Sequence, residues 1–351
     1  MTVQSSAPGK LILIGEYAVL FGAPAVVMAV DRRAVVSLEP SRSAEWSVAA
    51  PGLTEEIGRF GFGADGSPHW VDPRHGFNEF QLVDRLLNGL SAGEREALAK
   101  QSSLSMSLDT RSFFATLAGS RRKLGLGSSA ALSTALVSGL RLMLRGQGCS
   151  AADLASLVEL HRGLQGGRGS GVDVAASLLG GVLRYELGGD GPTASAIELP
   201  GDLVVRCVWT GRAASTGSFL EALDQAKTRD PRAVDAAMDR LGEISELGAD
   251  ALEVADSVRF LHAVDDFTPA LEELGRVIEM PILSDDHSRV WQAASELGVA
   301  YKPSGAGGGD FGLVFWSGAG PANELARRIE ALGCELVDLE VDAEGAAAWT
   351  V

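Results

Sequence analysis

Cysteine is scarce. Three occur in 351 residues, Cys149, Cys207 and Cys334, too far apart for a CxxC pair and odd in number, so neither a zinc knuckle nor a disulfide framework is expected. The thiols read as buried and reduced. Histidine is also sparse: His69, His75, His262 and His287 stand at no metal-ligand spacing and are expected on the surface or in loops. No basic run is longer than Arg121-Arg122-Lys123, and 30 Lys and Arg against 46 Asp and Glu leave a formal charge of −16. Such a chain repels nucleic acid and anionic membranes, so any anionic ligand must be held by local devices. No apolar run approaches the roughly 18 residues that a membrane span needs. Met1 to Ser6 lack the basic-then-apolar pattern of a secretory signal, and a cytoplasmic location is expected. The six tryptophans are dispersed, as in a core or rim rather than an adenine cage.

What is present is an ordinary globular composition, 46% hydrophobic and 22% charged, on a chain long enough for two cores. Apolar β-branched runs predict strands over 10–20, 25–38, 104–108, 182–187, 203–209, 311–316 and a closing strand over 335–341. Helical periodicity covers 78–90, 128–144, 151–164, 172–179, most of 218–300, and 323–332. Residues 41–77 read as an irregular surface excursion with some strand. Strands and helices mix without regular βαβ alternation, so the fold class is α+β. The loop Gly188-Gly189-Asp190-Gly191-Pro192 and the pair Pro200-Gly201 are the candidate junctions, and a division into 1–200 and 201–351 is expected.

Glycine is abundant, 43 residues, and it clusters. Gly125-Leu126-Gly127-Ser128-Ser129-Ala130-Ala131 runs into a helix. A helix start carries unpaired backbone N–H groups and partial positive charge, and glycines before it let the backbone approach a phosphate. The spacing matches neither a Walker A loop nor a GxGxxG dinucleotide site; a capped tight turn is the bland alternative. A second segment, Ala7-Pro8-Gly9-Lys10 through Gly15-Glu16-Tyr17-Ala18, brackets an apolar strand with Lys10 and Glu16, which could equally be solvated strand ends. Gly169-Ser170-Gly171-Val172-Asp173 puts a carboxylate on a helix's first turn, a common position with or without function. Lys302-Pro303-Ser304-Gly305-Ala306-Gly307-Gly308-Gly309-Asp310 holds too many glycines to be a simple turn.

In order and spacing these four segments resemble the motifs of the GHMP kinase superfamily across nearly the whole chain. The resemblance implies a two-domain fold, with an N-terminal ribosomal-protein-S5-like α/β domain and a C-terminal ferredoxin-like α+β domain. It also implies ATP and Mg²⁺ as cofactors. It assigns ATP binding to Gly125, Leu126, Gly127, Ser128, Ser129 and Ala130, with Ser129 as metal ligand. Lys10 and Asp173 take catalytic roles. The acceptor falls to Lys10, Glu16, Tyr17, Ser170, Gly171, Asp173, Ser304, Gly305, Ala306 and Gly307.

Details resemble the phosphomevalonate kinases more than the mevalonate kinases. They are Gly15-Glu16-Tyr17-Ala18, His161 ahead of Gln165-Gly166-Gly167-Arg168-Gly169-Ser170-Gly171-Val172-Asp173, Asp310, and Trp209-Thr210-Gly211 with Ser215-Thr216. The position of the mevalonate kinases' metal-binding glutamate falls on Arg162, a cation that cannot ligate a metal. The expected acceptor is therefore mevalonate 5-phosphate, in a monomer or homodimer. A mevalonate kinase and a catalytically silent member of the fold stand as alternatives. Lys10, Arg121, Arg122, Lys123, Arg162, Arg168 and Arg212 are the candidate cations for a charged substrate, and His161 is expected to be structural.

Overall fold

The computed structural model describes residues 1–117, 120–211 and 216–351. Its centre is the 16-residue strand Ala25–Pro40. Residues 25–30 are buried on both faces; beyond Asp31 exposed and buried positions alternate, as expected where one face meets solvent. Val3–Ile14 pairs antiparallel along one edge of this strand. On the other edge Val182–Gly188 meets its first residues and Leu104–Asp109 its last. Trp46–Ala49, parallel to Leu104–Asp109, then extends the sheet through Ile57–Phe62 to Pro68–Trp70. The segment 41–77 thus carries three strands that join the sheet, matching the expectation of some strand within an irregular stretch. It is held by aromatic packing, with Phe60 4.9 Å from Trp70 and Trp70 stacked 6.0 Å from Phe80.

Helix Ser128–Arg145 lies across this sheet. Its small residues allow close approach: a Cβ on Gly139 would stand 2.7 Å from Ser5 Oγ, which itself donates to the Ala135 carbonyl at 2.7 Å. A second, four-stranded antiparallel sheet runs Ala300–Ser304, Phe311–Ser317, Leu203–Trp209, Glu335–Val337. Helices Pro231–Glu253 and Ser257–Val277 pack against one another beside it, and Phe260 meets Phe315 edge-on at 5.3 Å. Buried apolar residues of both sheets, from Leu13 to Phe315, form one contiguous core cluster.

Three boundaries differ from expectation. The first strand ends at Ile14 because Gly15, at φ 103°, has no room for a Cβ (2.5 Å from Ala25 Cα), and the chain turns into the short helix Ala18–Phe21. Gly188 to Pro192 is not a junction: it is the tip of a hairpin between Val182–Gly188 and Gly191–Ile197, a two-residue Gly-Asp turn of the kind that suits strand twist. The closing strand over 335–341 stops at Val337, and the chain returns to the first sheet, where Ala347–Thr350 pairs with Val3 to Ser6.

Candidate active site

The first strand bulges between Pro8 and Gly9. A Cβ on Gly9 would stand 2.6 Å from the Leu126 carbonyl, and the Lys10 amide donates to that same oxygen at 2.9 Å. Glycine is required because the glycine loop's backbone docks directly onto the strand. Leu126, fully buried, plugs the loop into the core, while Gly125 and Gly127 take φ of 65° and 74°. Gly127 caps helix Ser128–Arg145, whose first turn carries no acidic residue. The Ser128, Ser129 and Ala130 amides therefore start the helix without an internal carboxylate to neutralise them.

Lys10 lies alongside. A Cβ on Gly127 would be 3.2 Å from Lys10 Cγ and 3.7 Å from Asp173 Cβ, so lysine and aspartate flank the loop. Lys10 is only 9% exposed, yet among the described residues its ammonium makes no ion pair. A mostly buried cation without a partner is expensive, and such a group calls for an anionic ligand.

Asp173 stands on the first turn of helix Val172–Leu179, its Oδ1 accepting the Val174 amide at 3.0 Å. Gly171, at φ 82°, brings this helix start against Val158 and Tyr185. The Tyr185 hydroxyl donates to the Ser170 carbonyl at 2.6 Å; burial, with Asp173 adding, pushes that phenol well above its ordinary range.

Glu16 and Lys302 form a buried ion pair, with side chains 2% and 0% exposed. Lys302 also donates to the carbonyls of Pro303 at 2.7 Å and Ile12 at 3.3 Å. Burial lowers its ammonium pKa, against an upward push from Glu16. Glu16 Oε1 additionally accepts the Gly305 amide at 3.3 Å, whereas Glu16 Oε2 is buried and unpartnered among the described residues. The Tyr17 hydroxyl donates to the Ala306 carbonyl at 2.5 Å from a backbone at φ 62°. N-terminal motif and C-terminal glycine loop are thereby locked together.

These elements enclose a cavity of about 270 Å³. Of the residues singled out from sequence, Lys10, Glu16, Tyr17, Gly125, Gly127, Ser128, Ser129, Ser170, Asp173, Gly305 and Ala306 line it. Five do not. The Leu126 and Ala130 side chains are in the core. Gly171 faces Val158. Ser304 Oγ both accepts from the Ile12 amide and donates to the Ile12 carbonyl, each at 3.0 Å. A Cβ on Gly307 would meet Ile282 at 2.5 Å. Of the candidate cations, Lys10, Lys123 and Arg168 line the cavity. Arg121 is held over the Phe114 ring and bonds the Gly52 carbonyl, and Arg162 donates to the Gly167 carbonyl at 2.9 Å. Arg212 and Ser215 lie outside the described residues.

Two residues with no site role in the sequence stand out. Lys302, which opens the last glycine segment in the sequence, lies instead in the buried strand Ala300–Ser304. His287, expected at the surface, is fully buried. Its Nδ1 is 2.5 Å from the Tyr301 hydroxyl and its Nε2 is 3.0 Å from the Gly309 carbonyl, which pins the glycine loop. Burial pushes its imidazole down to about 4.

Comparison with known proteins agrees with this geometry. Residues 97–181, which span the glycine loop and Asp173, match the GHMP kinases N-terminal domain. The chain is 28% identical over 341 residues to the phosphomevalonate kinase of Streptomyces sp. strain CL190, covering 89% of each. It is 26% identical over 361 residues to the mevalonate kinase of Thermococcus onnurineus, covering 98% of each. The solved structure of the Streptococcus pneumoniae phosphomevalonate kinase in complex with phosphomevalonate and AMPPNP superimposes with a TM-score of 0.74 at 20% identity, over 97% of this chain and 99% of that one. The glycine loop with its helix start and Asp173 both lie within the segment that matches, so residues 97–181 are similar to a GHMP kinase N-terminal domain.

Proposed function

We propose that the protein is a mevalonate-pathway phosphotransferase that moves the γ-phosphoryl group of ATP onto the phosphate of mevalonate 5-phosphate, giving mevalonate 5-diphosphate. The observation that carries this is Lys10: a 9% exposed ammonium with no ion pair among the described residues, lining a cavity whose wall is the start of a helix. That combination suits the triphosphate end of a nucleotide. Lys123 and Arg168 on the same cavity supply further positive charge for an acceptor that itself carries a phosphate. Among the described residues Arg168 makes only an exposed 3.5 Å pair with Asp224, which a substrate phosphate can displace. Glu16 borders the cavity and keeps its Oε2 buried and unpartnered among the described residues.

The chemistry follows from the acceptor. A phosphate monoester has a second pKa of about 6 and is already a nucleophile at neutral pH. One of its oxygens bonds to the γ-phosphorus, the bond from that phosphorus to the bridging oxygen breaks, and ADP leaves. No proton has to be removed. Lys10 offsets charge on the transferring group, and Asp173 orients the lysine and the acceptor. In an alcohol kinase the same carboxylate would have a hydroxyl proton to take.

A magnesium ion fits the donor set. Ser129 lines the cavity, and no cluster of three His, Cys, Asp or Glu capable of caging a metal occurs among the described residues. Magnesium commonly takes one or two protein oxygens and leaves the rest to phosphates and water. Bound there it would neutralise triphosphate charge. We further propose the division 1–200 and 201–351 and a cytoplasmic monomer or homodimer. No helix among the described residues is long and apolar enough to cross a membrane.

The test is ADP release in a coupled assay with each acceptor. Turnover with mevalonate 5-phosphate and little with mevalonate supports the proposal. The reverse preference supports a mevalonate kinase, the reading favoured by the match to the Thermococcus enzyme over 98% of both chains. ATP consumption with neither acceptor points to a silent binding protein.

A further inference from the structure

His161 stands near the end of helix Leu154–Leu164, behind the cavity rather than in it, with 1% of its side chain exposed. Its two ring nitrogens face two different residues of the site. Nε2 is 3.3 Å from Ser129 Oγ. Nδ1 is 3.9 Å from Asp173 Oδ1 and has no hydrogen-bond partner among the described residues. The imidazole thus joins the starts of two helices, Ser128–Arg145 and Val172–Leu179, at two residues that line the cavity.

We propose that His161 is a positioning residue that fixes the direction of the Ser129 hydroxyl and couples it to Asp173. The argument rests on which nitrogen carries the proton. With the proton on Nδ1, the N–H faces the Asp173 carboxylate across 3.9 Å, an electrostatically favourable orientation. Nε2 is then an acceptor, so Ser129 must donate its O–H inward. Both lone pairs of the Ser129 oxygen are left facing the cavity, free for a cation or a donor. With the proton on Nε2, the lone pair of Nδ1 would face a carboxylate in a water-poor site. The Ser129 oxygen would also lose an acceptor position to the imidazole. The first arrangement sets an N–H dipole towards the carboxylate and gives Nε2 a donor; the second sets a lone pair against a negative charge.

His161 thereby acts on the reaction through Ser129 and Asp173 without touching substrate, as residues behind a metal ligand commonly do. The role given to Ser129 rests on the kinase proposal above, but the tautomer does not. This separates the two tests.

Side-chain ¹⁵N spectra of the wild-type protein, with the His161 signals assigned by their loss in His161→Gln, report the tautomer directly. The proton on Nδ1 is the expected result; a proton on Nε2 overturns the proposal whatever the enzyme's substrate. Binding of Mn²⁺ with an ATP analogue, followed by electron paramagnetic resonance, gives the second readout. Gln can present a group where Nε2 sits and Asn one where Nδ1 sits. His161→Asn should therefore weaken metal–nucleotide binding about 10- to 100-fold, and His161→Gln no more than about threefold. In a Ser129→Ala background His161→Asn should add less than about twofold, because the partner through which it acts is gone. Equal losses in the Gln and Asn variants, or a full loss that persists without the Ser129 hydroxyl, would identify a residue that merely fills space.

Discussion

Replacing Lys302 by Met leaves the Glu16 carboxylate 2% exposed with one amide and no cation. Breaking a buried ion pair from one side costs about 3–5 kcal/mol, because the remaining charge stays desolvated. Unfolding entropy of about 2.1 cal/mol/K per residue, taken over 351 residues as one cooperative unit, gives about 0.74 kcal/mol/K. Lys302→Met should then lower the melting temperature by about 4–7 °C. The double variant Glu16→Gln, Lys302→Met removes both charges and should regain at least half of that loss, since a neutral pair carries little desolvation penalty. Calorimetric melts of wild type, both single variants and the double variant at pH 7 measure all four corners of the cycle. A single-variant loss below about 1 kcal/mol would refute the reasoning. So would a double variant as unstable as the two losses added, because independent sites add and coupled ones do not.

Lys10→Met should lower turnover about 10²- to 10³-fold through loss of charge stabilisation, while the melting temperature holds or rises because an uncompensated cation has been removed. Asp173→Asn, assayed by ADP release, should cost less with a phosphate acceptor than the same change costs an alcohol kinase, since no proton has to be taken. Gly9→Ala forces a methyl within 2.6 Å of the Leu126 carbonyl and should destabilise by about 1–3 kcal/mol in urea melts. The folded pKa of His287 lies below its unfolded value, so the unfolded chain binds the extra proton and stability falls as pH drops from 6.5 towards 4. At ~1.4 kcal/mol per pH unit the loss reaches about 3 kcal/mol, and His287→Phe should flatten that part of the stability–pH curve.

The helix starts that frame the candidate site were legible in the sequence, because they sit on contiguous glycine motifs. Gly125 to Ser129 and the Gly171–Asp173 turn announce a helix start and a carboxylate because local backbone rules require those residues there. Long-range pairings were not legible. Nothing local couples Glu16 to Lys302, almost three hundred positions away, or His287 to Gly309. The first pair exists only because the end of the first strand packs on Ala300–Ser304, the second only because helix Asp285–Ser295 folds back onto the last glycine loop. The same limit explains the C-terminal strand: Ala347–Thr350 has only four residues, too few to show periodicity, and it is a strand because Val3 to Ser6 offer it an edge. Segment 41–77 was obscured by its turns, Asp65-Gly66-Ser67-Pro68 and Asp72-Pro73, which break strands too short to reveal alternation.

The central claim is that the first-turn amides of helix Ser128–Arg145 and the Lys10 ammonium together hold the terminal phosphates of ATP. A crystal structure with a non-hydrolysable ATP analogue tests it most directly. The account predicts phosphate oxygens within hydrogen-bond distance of the Ser128 to Ala130 amides and of Lys10 Nζ. Phosphates bound away from that helix start, or Lys10 turned out to solvent with the nucleotide in place, would contradict it.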